Sequence, residues 1–78
     1  MKKFKNIVFN SGNKRSYNLL YLDNATDYTT ALLEERDYKA VQPYVLAIGF
    51  NNESGTWDSG HYYSNFNDAR NAFIDYIK

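Results

Sequence analysis

The chain has no cysteine, one proline, four glycines, one histidine and one tryptophan in its 78 residues. Without cysteine there is no disulfide framework and no thiolate metal site, so packing alone must hold the fold. A lone His61 is a poor anchor for a transition metal. No charge of one sign dominates either: nine basic side chains balance nine acidic ones. Long apolar runs are missing as well. Met1-Lys2-Lys3-Phe4-Lys5-Asn6 has the charge of a signal n-region, but Ile7-Val8-Phe9 is far too short for its apolar core. Nothing approaches a membrane span, so the sequence reads as cytosolic. On that reading Asn24-Ala25-Thr26 and Asn52-Glu53-Ser54 match the glycosylation pattern by chance.

What the chain does have is aromatic rings. Eight tyrosines, five phenylalanines and one tryptophan make 18% of it, and hydrophobic residues make 44%. That content is too high for a disordered chain at zero net charge. The length supports one domain, residues 1–78, which buries roughly 60% of the surface it exposes unfolded. Each buried ring removes on the order of 150–250 Å² from water. Eight tyrosines exceed what so small a core needs, so some are expected at the surface, where tyrosine suits recognition.

Residues 3–9 and 16–22 read as strands joined by the turn formers Asn10-Ser11-Gly12-Asn13, a hairpin. Asn24, with Asp27 three residues on, predicts a helix cap. The stripe Tyr28, Ala31, Leu32, Glu35 and Tyr38 predicts a helix that Pro43 ends. Tyr44-Val-Leu-Ala-Ile-Gly-Phe50 is nearly all apolar and reads as a central strand. Residues 51–55 form a turn, and 56–63 a returning strand in which Gly60 marks a bulge or a close approach. Ser64 or Asn65 then caps a helix with Ala69, Ala72, Phe73, Tyr76 and Ile77 on one stripe.

Residues 2–37 laid over 43–78 at an offset of 41 give seven identities: Ile7/Ile48, Phe9/Phe50, Asn10/Asn51, Tyr21/Tyr62, Asn24/Asn65, Asp27/Asp68 and Ala31/Ala72. Roughly 2 or 3 are expected from such a composition. The expected architecture is therefore α+β, ββαββα: a four-stranded, mostly antiparallel sheet with two helices on one face and an internal ββα duplication. Shared turn and cap chemistry is the plainer account of the overlay.

Asp58-Ser59-Gly60-His61 is the cluster closest to catalysis. On a strand Ser59 and His61 share a face while Asp58 points away, so the acid cannot orient the imidazole. No nucleophile elbow, phosphate-binding glycine loop or calcium loop is present. The reading is no enzyme, no metal and no cofactor.

Charge is unevenly placed. Residues 1–22 carry Lys2, Lys3, Lys5, Lys14 and Arg15 and no acid, whereas nine acids face four bases from residue 23 onward. A basic hairpin could grip a nucleic-acid backbone beside Phe4, Tyr17 and Tyr21. Frayed terminal lysines that serve solubility are the plainer explanation. Protein binding is the leading reading. Strand alternation places Trp57, His61 and Tyr63 on one face of 56–63 and Tyr62 on the other, so one ring set is core and the other meets a partner. Tyrosines on the open face of a one-sided sheet are the ordinary alternative.

Val45-Leu-Ala-Ile-Gly-Phe50, Ser54-Gly55-Thr56-Trp57, Gly60-His61-Tyr62-Tyr63 and Ala69-x-x-x-Phe73 resemble short accessory proteins of phages and mobile elements of low-GC bacteria. Some of these, the anti-CRISPR proteins among them, inhibit host defences. The resemblance implies a small inhibitor that acts in the host cytoplasm by occupying a surface of a larger protein or ribonucleoprotein, with no catalytic residues to transfer. The expected contact residues are Trp57, His61, Tyr62, Tyr63, Tyr17 and Tyr21. Lys2, Lys3, Lys5, Lys14 and Arg15 serve the nucleic-acid alternative. A second copy of the chain is a further candidate partner.

Overall fold

The computed structural model describes residues 2–24, 29–37 and 39–77, by backbone alone over 2–6. Five antiparallel strands follow one another as a meander: β1 (Lys2–Asn10), β2 (Arg15–Asp23), β3 (Thr30–Glu35), β4 (Tyr44–Ile48) and β5 (Ser59–Tyr63). Among the described residues one helix, α1 (Phe66–Ile77), follows the sheet. The fold is α+β, βββββα.

This corrects the expected ββαββα arrangement with four strands and two helices. Residues 30–35 are the middle strand of the sheet, paired on one side with β2 and on the other with β4. Alanine, leucine and glutamate favour helix locally. Here both Leu32 and Leu33 are fully buried, on opposite faces, and one helical stripe cannot bury two adjacent leucines that way. Burial on both faces of a strand satisfies them. The duplication fails at the same place, since Ala31 lies in a strand and Ala72 in a helix. Of the expected helix, Asp27, Tyr28 and Tyr38 lie outside the described residues.

Each face of the sheet has its own cover. On one side Leu32 and Leu46 meet Ala69 and Phe73 of α1, with Leu20, Tyr21, Ile48 and Tyr63 around them. Tyr21 stacks on Phe73 at 5.9 Å, and Tyr44 meets Phe66 edge-on at 5.8 Å. A bulge in β2 makes this possible. Leu19 pairs with Leu33 and Tyr21 with Leu32, so Leu20 is an extra residue. Leu20 and Tyr21 both reach the helix side as a result, while Leu19 and Leu22 face away.

The opposite side is covered by the chain between β4 and β5. This strap leaves β4 at Gly49, where the amides of Gly49 and Phe50 both donate to the Thr29 carbonyl at 3.0 and 2.9 Å. It buries Phe50 and half-buries Trp57 against Val8, Tyr17, Leu19, Ala31, Leu33, Val45 and Ala47. Gly55 has φ +69°, and any side chain there would run into the Phe9 carbonyl. Glycine is thus needed twice over at that point, for the left-handed turn and for contact with β1.

The two hairpin turns share one device. Asn10 Oδ1 accepts from the Gly12 and Asn13 amides at 2.8 and 3.1 Å, and Asn51 Oδ1 accepts from those of Glu53 and Ser54 at 2.9 and 3.2 Å. The Asn10/Asn51 identity is therefore shared turn chemistry. The expected cap of α1 is present as a reciprocal pair: the Asp68 amide donates to Asn65 Oδ1 at 2.8 Å, and Asn65 Nδ2 donates to Asp68 Oδ2 at 2.8 Å. Among the described residues no helix is long and apolar enough to cross a membrane.

Phe73 is fully buried at the centre of the helix-side cluster. Phe73→Ala is expected to cost about 3–5 kcal/mol, read as a lower denaturation midpoint with an unchanged slope. A midpoint near the wild-type value would mean that α1 packs by a different face.

Candidate binding site

The rings that the sequence assigns to binding separate into different settings. Tyr17 is 3% exposed. Its ring meets Trp57 edge-on at 5.4 Å, and its hydroxyl accepts from Asn13 Nδ2 at 2.9 Å. Tyr21 and Tyr63 are half-buried in the helix-side cluster. These three hold the monomer together. His61 is exposed on the helix side of β5, and Tyr62 is 49% exposed on the strap side.

Trp57 does not follow the alternation expected for it. It precedes β5 and swings over Gly60 onto the face of Tyr62. A side chain at residue 60 would meet Trp57 Nε1 at 2.8 Å and the Tyr62 hydroxyl at 3.2 Å. Gly60 is thus a place of close approach, as the sequence suggested, and β4 pairs with β5 across it without a register shift. The six candidates do not form one surface. Tyr17, Trp57 and Tyr62 lie on the strap side, and Tyr21, His61 and Tyr63 on the helix side.

Apart from Val41, which stands alone between β3 and β4 at 85% exposure, the most exposed large apolar side chains are two missing from that set. Ile7 is 59% and Phe9 56% exposed. They alternate with the buried Val8, so both stand on the helix side of β1. α1 packs mainly over β3, β4 and β5 and leaves them uncovered. Across the pairing they meet Asn18 and Ser16 of β2, both half-buried. An apolar pair beside polar neighbours has the composition of a small recognition surface. Tyr76, expected on the buried stripe of α1, is 48% exposed and adds a ring at the surface. Alternation in residues 3–9 was visible in the sequence, but not which face α1 would leave bare.

The basic residues divide too. β1 puts Lys2 and Lys3 opposite Leu22 and Tyr21, at the end of the hairpin away from Lys14 and Arg15. At about 3.3 Å per residue, Lys2 and Asn10 are roughly 25 Å apart. Lys14, exposed with φ +58°, sits in the turn. Arg15 Nη1 donates to Glu35 Oε1 at 2.6 Å. That hydrogen bond and the carboxylate's charge raise the guanidinium above its usual value, and they neutralise a buried acid. The side chains of Lys2, Lys3 and Lys5 lie outside the described residues.

Asp58 lies against Gly49, whereas Ser59 and His61 share the helix side. The three do not converge. A shallow hollow of about 660 Å³ between the strap and Thr29 is lined by Asn51, Asn52, Glu53, Thr56 and Asp58. Among the described residues no three acidic or histidine side chains are placed to hold a metal ion.

Burial pushes the Tyr17 hydroxyl above the usual tyrosine range, and the Asn13 hydrogen bond offsets part of that. Burial also raises Tyr44, and hydrogen bonding to Glu34 adds to it. The native state therefore holds these protons more tightly than the unfolded chain does. Their contribution to stability is complete below the ordinary tyrosine value of about 10 and is lost as pH rises through the folded value. Tyr17→Phe is expected to flatten the alkaline fall of the denaturation midpoint. An alkaline fall identical to wild type would place Tyr17 in water.

No family model matches the chain, and no curated protein or solved structure is significantly similar to it.

Proposed function

We propose that this chain is a small non-enzymatic binding protein that acts by occupying a surface of a larger partner. The observation that carries this reading is the pair Ile7 and Phe9, adjacent on one face of β1 and each more than half exposed. Single exposed apolar residues need no explanation. Two neighbours on one sheet face, beyond the reach of α1, leave contiguous apolar area unburied. Tyr62 and His61 are exposed at the opposite edge of the sheet, on its two faces, and lie outside this surface.

The resemblance to phage and mobile-element inhibitors supplies the candidate partner: a bacterial defence complex of the CRISPR-Cas type, met in the host cytoplasm. The nucleic-acid alternative gains no support from the geometry, because the basic residues occupy two ends of the hairpin and Arg15 is engaged by Glu35.

The test is a phage-interference assay in a host with an active defence system, with and without expression of this chain. Relief of interference is expected. The double variant Ile7→Ser/Phe9→Ser should lose partner capture by roughly tenfold or more, equivalent to about 1.4 kcal/mol. Its melting temperature should stay close to wild type, since exposed positions contribute little to stability. Capture should also respond weakly to salt, whereas phosphate binding would fall steeply. Undiminished capture by the double variant, or a steep salt dependence, contradicts the proposal.

A further inference from the structure

The two edges of the sheet are shielded very differently. β1 is nine residues long and has three lysines in its first half. Its pairing is broken by a register shift between Lys3 and Asn6, and Gly55 of the strap lies against the Phe9 carbonyl. Lysines, bulges and covering loops are how proteins stop an edge from adding further strands. β5, Ser59–Tyr63, has no charged residue, no proline and no register shift against β4. Its outer side is unpaired in the strand order, and Ser59, His61 and Tyr62 are all exposed. Among the described residues, shortness is its one protection.

We propose that β5 pairs antiparallel with β5 of a second copy of this chain, about a twofold axis at His61, giving a continuous ten-stranded sheet. His61 is the midpoint of the strand, so this register pairs all five residues and any other leaves some unpaired. It sets His61 against the partner's His61, Gly60 against the partner's Tyr62 and Ser59 against the partner's Tyr63. Asp58 falls opposite the partner's Ser64, so no two carboxylates meet and no lysine or arginine meets another. The self-complementary feature is the Gly60–Tyr62 alternation. Gly60 has no side chain on the strap side, and Trp57 and the Tyr62 hydroxyl of the same chain lie over it. The partner's Tyr62 comes alongside that indole, and Tyr62 of the first copy comes alongside the partner's Trp57. Aromatic rings set across from an edge glycine stabilise such pairings. The twofold axis stands perpendicular to the sheet, so both α1 helices stay on one side and both straps on the other.

A five-residue strand pair is smaller than the interfaces of stable complexes, so the dimer is expected to be weak and reversible. It leaves Ile7 and Phe9 of both copies free at the two outer ends. Loss of self-association and loss of partner capture are therefore separate results.

The chain has no native cysteine, so His61→Cys introduces one thiol at the proposed axis. Directly opposed strand residues have Cβ atoms about 4.5–5.5 Å apart, near disulfide reach. Mild oxidation should cross-link His61→Cys at least tenfold faster than Ser11→Cys in the exposed first turn. Sedimentation equilibrium of the wild type should show a monomer–dimer exchange across the micromolar-to-millimolar range. His61→Lys sets two cations face to face and should remove the dimer without changing the melting temperature. A wild type that stays monomeric throughout that range overturns the proposal. Equal cross-linking of the two cysteine variants, or a dimer that survives His61→Lys, would do the same.

Discussion

Everything in this molecule depends on the double covering of β3. Ala31 and Leu33 need an apolar layer on one side and Leu32 needs one on the other, and 78 residues must supply both. α1 is the first layer and the strap between β4 and β5 is the second. Neither layer is thick, and each is anchored by rings: Phe73, Tyr21 and Phe66 beneath the helix, Phe50, Trp57 and Tyr17 beneath the strap. Leucine, valine and phenylalanine side chains buried this fully contribute roughly 1.5–3 kcal/mol each, enough to override the helix preference of Ala-Leu-Leu-Glu-Glu.

This double covering also explains why the aromatic content is high and where the surplus lies. A one-sided sheet would use about half its rings as core and show the rest. Here the strap turns Tyr17 and half of Trp57 into core, and the bulge at Leu20 does the same for Tyr21. What remains outside sits where the covers stop. α1 does not extend over β1, so Ile7 and Phe9 stay in water, and the strap ends short of Tyr62. The surfaces proposed for binding are thus the margins of the fold, one near each edge of the sheet.

Much of this was legible in the sequence. The hairpin 3–22, the apolar run 44–50 (whose strand ends at Ile48), the close approach at Gly60 and a cap of α1 at Ser64 or Asn65 (the structure uses Asn65) all follow from local residue chemistry. β3 did not, because its residues favour helix and its strand state is imposed by neighbours distant in sequence. The same gap misled the reading of the rings. Tyr17 is core and Tyr62 is spare because of how far the strap reaches across their common face, and Ile7 and Phe9 give no sign in sequence of which strand the helix leaves bare. Asn10 and Asn51 show the opposite case, a true local match that suggested duplication where the folds diverge.

The most direct test of the double covering is amide hydrogen exchange along β3. With α1 on one side and the strap on the other, the amides of Ala31, Leu32 and Leu33 should open only with global unfolding and be the slowest in the molecule. The amides of β1 and β5, at the edges, should exchange well before them. Exchange of Ala31, Leu32 and Leu33 as fast as that of the edge strands would mean that β3 is not the buried centre, and would contradict the double covering.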